Sequence, residues 1–105
     1  MQVLIVEDHR GSRNELERCL TRHDHDVTTA RNLQTGVESL GKQRFDVIIA
    51  DIALPDGTGY ALISEVRRRG IQALCIAISG HPYPSDVDEP GSDRIPSSRV
   101  EATRL

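Results

Sequence analysis

Four oxygen-bearing side chains stand where apolar segments of the chain end, and together they suit phosphoryl chemistry beside a metal ion. Glu7 and Asp8 follow the first segment, Asp51 follows the second, and Ser79 follows the third. If the segments are parallel strands of one sheet, these residues share the edge where ligands of open α/β sheets bind. Carboxylates that close together repel and raise one another's pKa unless a cation lies among them. Oxygen ligands at a partly open site suit Mg²⁺.

Asp51 is the candidate for covalent chemistry. A carboxylate can attack a phosphoryl group and form an acyl phosphate. A cation would neutralise the developing charge, and the hydroxyl of Ser79 would bind a phosphoryl oxygen. Gly57 and Gly59 follow shortly after and would keep the adjoining turn compact and open to a ligand. The pattern therefore predicts that Asp51 is phosphorylated.

The three apolar segments have the composition of strands buried on both faces. They are "VLIV" (3–6), "VIIA" (47–50) and "ALCIAI" (73–78), and each is continuous rather than alternating. Such runs are typical of parallel sheets, whose two faces are both covered. A weaker candidate, "DVTTA" (26–30), is β-branched but polar, which indicates an edge strand.

Helical patterns lie between the strands. The spacing of Ser12 and Glu15 predicts a capping box at the start of the first helix. Apolar residues at helical spacing predict two more helices, and these residues are Leu33, Val37 and Leu40, then Tyr60, Ile63 and Val66. The alternating order predicts an α/β fold, a doubly wound open parallel sheet with helices on both faces.

The C-terminal part of the chain differs in composition from the rest. Residues 81–105 are polar and rich in proline and serine, and they predict a loop-like tail with no strand and only a faint helix near its end. The predicted organisation is therefore a βα domain at residues 1–80, followed by a tail at residues 81–105.

Composition bounds the function classes. The chain has 105 residues, 37% hydrophobic and 28% charged, with a net charge of −3, which is typical of one small domain. Neither this charge nor the 3% aromatic content indicates nucleic-acid binding, and no apolar run approaches the roughly 20 residues that span a membrane. Cys19 and Cys75 do not form a disulfide framework, which favours a reducing cytoplasm.

Residues 1–80 resemble a response-regulator receiver domain of two-component signalling. The matching segments are "LIVEDH", "FDVIIADIALPDGTGY" and "ALCIAISG". The second contains the pattern Asp-x-x-x-Pro-x-x-x-Gly at Asp51, Pro55 and Gly59. The resemblance implies a flavodoxin-like sheet with the strand order 2-1-3-4.

The resemblance also implies a function and a site. Asp51 would accept phosphate from a sensor histidine kinase or a phosphotransfer protein. Glu7, Asp8, Asp51 and the backbone carbonyl of Ala53 would hold Mg²⁺, and Ser79 would bind the phosphoryl group and report its presence. Such a module is not an enzyme, has no catalytic residue of its own and acts by contact with other proteins.

The chain departs from the receiver pattern after Ser79. A receiver continues with a fourth helix, a fifth strand and a fifth helix, and the fifth strand ends in a lysine that pairs with the phosphoryl group. The single lysine here, Lys42, lies in another region, while the tail offers Arg94, Arg99 and Arg104. The fifth strand is therefore predicted to be missing, which would leave the fourth as an unprotected edge. A homodimer is one arrangement that would cover it.

Two alternative functions are considered, of which the first follows from these departures. A truncated pseudo-receiver would keep the acids without switching and would serve as an interaction or decoy module. An aspartyl-phosphate hydrolase of the haloacid dehalogenase type is a weaker alternative, because "IALP" follows Asp51 and supplies no second acid. A DNA-binding output domain does not fit in the remaining residues, so no direct contact with nucleic acid is expected, and none with a membrane.

Overall fold

The described part of the chain, residues 1–79 and 99–104 of a computed structural model, alternates strands and helices. In chain order the elements are β1 Gln2–Val6, α1 Arg10–Arg22, β2 Asp26–Ala30, α2 Leu33–Leu40, β3 Val47–Asp51, β4 Ala53–Leu54, β5 Gly57–Thr58, α3 Gly59–Arg68, β6 Leu74–Ser79 and β7 Arg99–Arg104. The three predicted helices and the four predicted strands are all present. No helix within the described ranges is both long enough and apolar enough to cross a membrane.

The main sheet has the order β2-β1-β3-β6-β7, and its first four strands are parallel. This confirms the predicted order 2-1-3-4, with β6 as the fourth strand. β1 lies between β2 and β3, so that Val3 pairs with Val27 on one side and with Val47 on the other. The small β4–β5 hairpin is separate and antiparallel.

The helices cover opposite faces of this sheet. The crossover through α1 runs from β1 toward the β2 edge, whereas those through α2 and α3 run in the other direction. Because parallel crossovers are right-handed, opposite directions place helices on opposite faces. The main core lies under α2 and α3, and its fully buried members are Leu4, Val6, Ile48, Ala50, Leu62, Val66 and Cys75. By contrast, α1 contributes no buried residue.

The prediction that no strand follows Ser79 is wrong for residues 99–104. These residues form β7, which pairs antiparallel with β6 from Leu74–Arg104 to Ser79–Arg99. The physical reason is that an apolar edge strand presents unpaired N–H and C=O groups, and a segment can satisfy them through its backbone with little regard to side-chain pattern. β7 is antiparallel, so the parallel fifth strand that the receiver pattern implies is not among the described residues.

The rest of the predicted tail, residues 81–98 and Leu105, lies outside the described residues, as does Arg94. The domain boundary at residue 80 therefore stays a prediction. Because β7 pairs with β6, an unprotected β6 edge no longer argues for a homodimer, which also stays a prediction.

Candidate metal and phosphoacceptor site

Three carboxylates meet at the carboxyl edge of the sheet. Glu7 directly follows β1 and Asp51 ends β3, and these neighbouring strands pair Val6 with Ala50. One oxygen from each of Glu7, Asp8 and Asp51 lies within 4.8 Å of the others. Glu7 and Asp51 are fully buried, whereas Asp8 is exposed. The structure therefore brings the predicted acids together as a buried pair with a third carboxylate at the solvent rim.

Glu7 occupies the most constrained position in this cluster. Its Oε2 atom accepts a hydrogen bond from the His9 N–H at 3.0 Å. Its Oε1 atom is buried and has no hydrogen-bond partner within the described residues. Burial, and next the contact with the Asp51 carboxyl, raise the pKa of Glu7 to about 8, although the His9 N–H acts in the opposite direction. A buried lone acceptor among like charges is what a hard cation would satisfy.

Asp51 is held by the turn that follows it. Its Oδ1 atom accepts a hydrogen bond from the Ala53 N–H at 3.1 Å, which fixes the orientation of the carboxylate. Gly59, at the start of α3, donates its N–H to the Ile52 carbonyl at 3.0 Å. A Cβ atom at Gly59 would lie 2.5 Å from the Asp51 carbonyl oxygen, so the close approach of α3 to this strand end requires glycine. The predicted compact turn is therefore present.

The β4–β5 hairpin connects Asp51 to the surrounding helices. Ala53 is the first residue of β4 and is exposed beside the acids. Asp56, at the hairpin turn, accepts hydrogen bonds from the Leu33 N–H at 2.7 Å and the Gln34 N–H at 2.9 Å, in the first turn of α2. Thr58 caps α3 by accepting the Ala61 N–H at 3.2 Å. Sequence reasoning missed Asp56, whose partners lie more than twenty residues away.

Ser79 reaches the same edge from the neighbouring strand. It is the last residue of β6 and is half-buried. Because Ile78 pairs with Asp51, Ser79 lies one residue beyond the acid along the adjacent strand. The backbone there is tied across the two strands, since the Ile52 N–H donates to the Ile78 carbonyl at 2.8 Å. All four predicted side chains thus belong to one sheet edge.

The start of α1 contains contacts that the sequence did not indicate. The helix begins at Arg10, and the ring of His9 caps it by accepting the Ser12 N–H at 3.2 Å. The predicted capping box at Ser12 and Glu15 is therefore wrong, because Ser12 already lies in the first turn. Arg13 donates from Nη1 to the backbone carbonyl of Glu7 at 3.0 Å. The backbone at Glu7 and Asp8 is consequently held by Arg13 of α1.

Residues 3–90 match the response regulator receiver domain family. The chain belongs to that family. It is also similar to the response regulator protein PilR of Pseudomonas aeruginosa, at 34% identity over 80 residues, which are 76% of this chain and 18% of PilR. This chain spans less than a third of the length of the curated regulators that it matches.

Two solved receiver structures extend the comparison. The response regulator TrrA of Thermotoga maritima, crystallised in complex with Mg²⁺-BeF, has a TM-score of 0.62 and 25% identity, over 65% of this chain and 59% of TrrA. The receiver domain of Saccharomyces cerevisiae Ssk1, crystallised with the histidine phosphotransfer protein Ypd1, has a TM-score of 0.62 and 28% identity, over 66% of this chain and 48% of that one. Both support the flavodoxin-like receiver fold.

Proposed function

We propose that this receiver domain is a phosphoacceptor module of a two-component phosphorelay. Asp51 accepts the phosphoryl group from a phosphohistidine of a sensor kinase or a phosphotransfer protein. The observation that carries this proposal is the burial of Asp51 at the carboxyl edge of the sheet, in a cluster with Glu7 and Asp8 whose oxygens lie within 4.8 Å. The complex of the Ssk1 receiver with Ypd1 supports this class of partner.

The transfer is a single displacement at phosphorus. A carboxylate oxygen of Asp51 attacks, a P–O bond forms, the P–N bond to the donor imidazole breaks, and the imidazole nitrogen leaves with the electron pair. The Ala53 N–H holds the reacting carboxylate in place by donating a hydrogen bond to Oδ1 of Asp51. The hydroxyl of Ser79, at the end of the adjacent strand, donates to a phosphoryl oxygen of the product. Through this hydrogen bond, the Ser79 hydroxyl senses the phosphorylated state at the end of β6.

The same edge fits Mg²⁺. Glu7, Asp8 and Asp51, with the backbone carbonyl of Ala53, would hold the ion, which when bound supplies charge neutralisation for the phosphoryl oxygens. The fit rests on an oxygen-only donor set and on the buried Glu7 Oε1 atom, which has no hydrogen-bond partner within the described residues. The Mg²⁺-BeF complex of TrrA supports the choice of ion.

The output of such a module is a change in protein contacts rather than turnover of a substrate. We place it in the cytoplasm, where its two unpaired thiols, Cys19 and Cys75, would stay reduced. Its partners are then the phosphodonor protein and a downstream protein that distinguishes the two states, with no direct role for nucleic acid or membrane.

The test is chemical phosphorylation of the whole chain. The protein is incubated with acetyl phosphate and Mg²⁺, and the acyl phosphate is reduced with borohydride so that mass spectrometry can locate the modified residue. We expect one phosphoryl group, on Asp51, and amide shifts around Asp51 and Ser79 when Mg²⁺ and beryllofluoride are added. A folded protein that binds Mg²⁺ but gains no phosphoryl group would instead be a pseudo-receiver, and the proposal would be wrong.

A further inference from the structure

Arg13, in the first turn of α1, donates hydrogen bonds to the backbone of both acids that follow β1. Its Nη1 atom lies 3.0 Å from the carbonyl oxygen of Glu7 and 3.4 Å from that of Asp8. The residue is half-buried. Glu7 and Asp8 are the two residues whose carboxylates join Asp51 in the cluster. One guanidinium nitrogen therefore ties both residues to the helix.

The segment that Arg13 holds is where the chain leaves the sheet. The Glu7 N–H still belongs to the strand, because it donates to the Ala30 carbonyl at 2.9 Å. Two residues later the backbone has turned into α1, where the Arg13 N–H donates to the His9 carbonyl at 2.9 Å. Carbonyls at such a strand-to-helix turn need donors from elsewhere. A guanidinium supplies charge-assisted bonds, which are stronger than neutral ones.

The Arg13 contact acts on two acids that packing restricts to different degrees. Glu7 is fully buried, so packing restricts its side chain, and its Oε2 atom is also held by the His9 N–H. Asp8 is exposed, so packing restricts its side chain less. Holding the Asp8 carbonyl therefore fixes the backbone from which this less restricted side chain reaches the cluster.

We infer that Arg13 is a positioning residue of the candidate metal site: by holding the carbonyls of Glu7 and Asp8, it keeps their carboxylates in the cluster with Asp51. This inference rests on the proposed function, since it concerns the same site. The charge of Arg13 by itself opposes a cation nearby. Placement of the acids by Arg13 raises the Mg²⁺ affinity, whereas the charge of Arg13 lowers it. Weaker Mg²⁺ binding after removal of Arg13 therefore indicates positioning, and tighter binding indicates that only its charge matters.

The experiment is a Mg²⁺ titration of the whole chain, followed by amide ¹H–¹⁵N correlation spectra. We expect R13M to weaken Mg²⁺ binding about tenfold, as is typical when a residue that orients a metal ligand is removed. R13K keeps the charge but not the planar fork, so a smaller loss is expected. The matched control is R18M, which removes an exposed arginine from the same helix and should leave the affinity unchanged.

A second readout separates positioning from folding. At saturating Mg²⁺, phosphorylation of R13M by acetyl phosphate should approach the wild-type rate, with only the half-saturating Mg²⁺ concentration raised. A lower melting temperature with unchanged Mg²⁺ affinity of the folded protein would show a purely structural role and overturn the inference. If R13M does not give a dispersed spectrum, R13K decides, and wild-type affinity in R13K overturns it.

The outcomes also distinguish this inference from the proposed function. Tighter or equal Mg²⁺ binding by R13M, in a background where the wild type is phosphorylated on Asp51, overturns the role of Arg13 and leaves the proposed function standing. A wild type that binds no Mg²⁺ overturns both. Weaker binding by R13M in a protein that takes no phosphate supports the role of Arg13 and removes the proposed function.

Discussion

The strand β3 is flanked by an aspartate at each end, and the two aspartates have opposite environments. Asp46, just before the strand, is exposed, and its Oδ2 atom accepts the Gln2 N–H at 2.9 Å. Asp51, at the other end, is fully buried in a cluster with two more carboxylates. An acid next to a strand is therefore not in itself a sign of chemistry. Burial among like charges does indicate chemistry, because it costs stability and serves no structural purpose without a cation or a phosphoryl group.

Neutralising each of the two aspartates separately tests whether the chemistry belongs to Asp51 alone. D51N should abolish phosphorylation by acetyl phosphate, because an amide oxygen is not the nucleophile that forms an acyl phosphate. D46N should be phosphorylated as the wild type is, since its amide oxygen can still accept the Gln2 N–H. The measurement is incorporation of the phosphoryl group, followed by intact mass.

The two substitutions are matched in chemistry, so they separate the site from general effects of charge. The amide oxygen that D51N introduces can still accept the Ala53 N–H, so this variant should remain folded, as its amide spectrum would show. Phosphorylation of D51N at the wild-type level, or equal loss in D46N, would contradict the assignment of chemistry to one end of β3.

The two ends of the sheet also differ in how tightly the backbone is packed. A Cβ atom at Gly59 would lie 2.5 Å from the Asp51 carbonyl oxygen and 3.0 Å from its carbon, and both are backbone atoms that cannot yield easily. We expect G59A to lower the free energy of unfolding by about 1–3 kcal/mol, the usual range for overpacking. Chemical denaturation measures this loss.

Gly41, the C-cap of α2, is the matched control. Its φ of −85° suits any residue, and a Cβ atom there would meet nothing closer than the Glu38 carbonyl oxygen at 3.6 Å. We expect G41A to be neutral or to stabilise the protein by up to about 1 kcal/mol. Equal effects of G59A and G41A would show that the turn behind Asp51 is not tightly packed.

The meeting of the acids at one edge could be predicted from the sequence, because it follows from the order and direction of the strands. Continuous apolar runs indicated parallel strands, and parallel strands bring the residues after Val6, Ala50 and Ile78 to one edge. The contacts that hold those acids were not predictable in the same way. They join residues across turns, as in the contact of Arg13 with Glu7, and their donors are common surface residue types.

Two wrong predictions show where local patterns mislead. Ser12 has the ideal spacing to Glu15 for a capping box, yet His9 caps the helix, since the chain leaves β1 and turns into α1 three residues earlier. The polar composition of residues 99–104 indicated no strand, yet β7 pairs with the apolar edge of β6 through its backbone. In both cases a neighbouring element decided the structure against a local preference.

The smallest expected effect concerns a third aspartate, which sharpens the contrast between Asp46 and Asp51. Asp56 is exposed, like Asp46, but it binds the N–H groups of Gln34 and Leu33 at the start of α2, and these bonds lower its pKa. Its contribution is therefore present above the unfolded-state pKa and is lost as pH falls through the lower folded-state pKa. We expect D56A to reduce the melting temperature slightly at neutral pH, by less than G59A does.

The pH dependence of the melting temperature distinguishes the effect of the Asp56 charge from that of its ability to accept hydrogen bonds. Below the folded-state pKa, wild type and D56A should converge in melting temperature, because the carboxyl of Asp56 is then neutral in both states of the wild type. D56N should lie between wild type and D56A at neutral pH, because it can accept a hydrogen bond but lacks the charge that favours a helix N-terminus. A constant difference between wild type and D56A at all pH values would mean that the carboxylate charge is irrelevant. Asp56 would then act as a hydrogen-bond acceptor alone, and burial among other carboxylates would remain the feature that distinguishes Asp51 from both exposed aspartates.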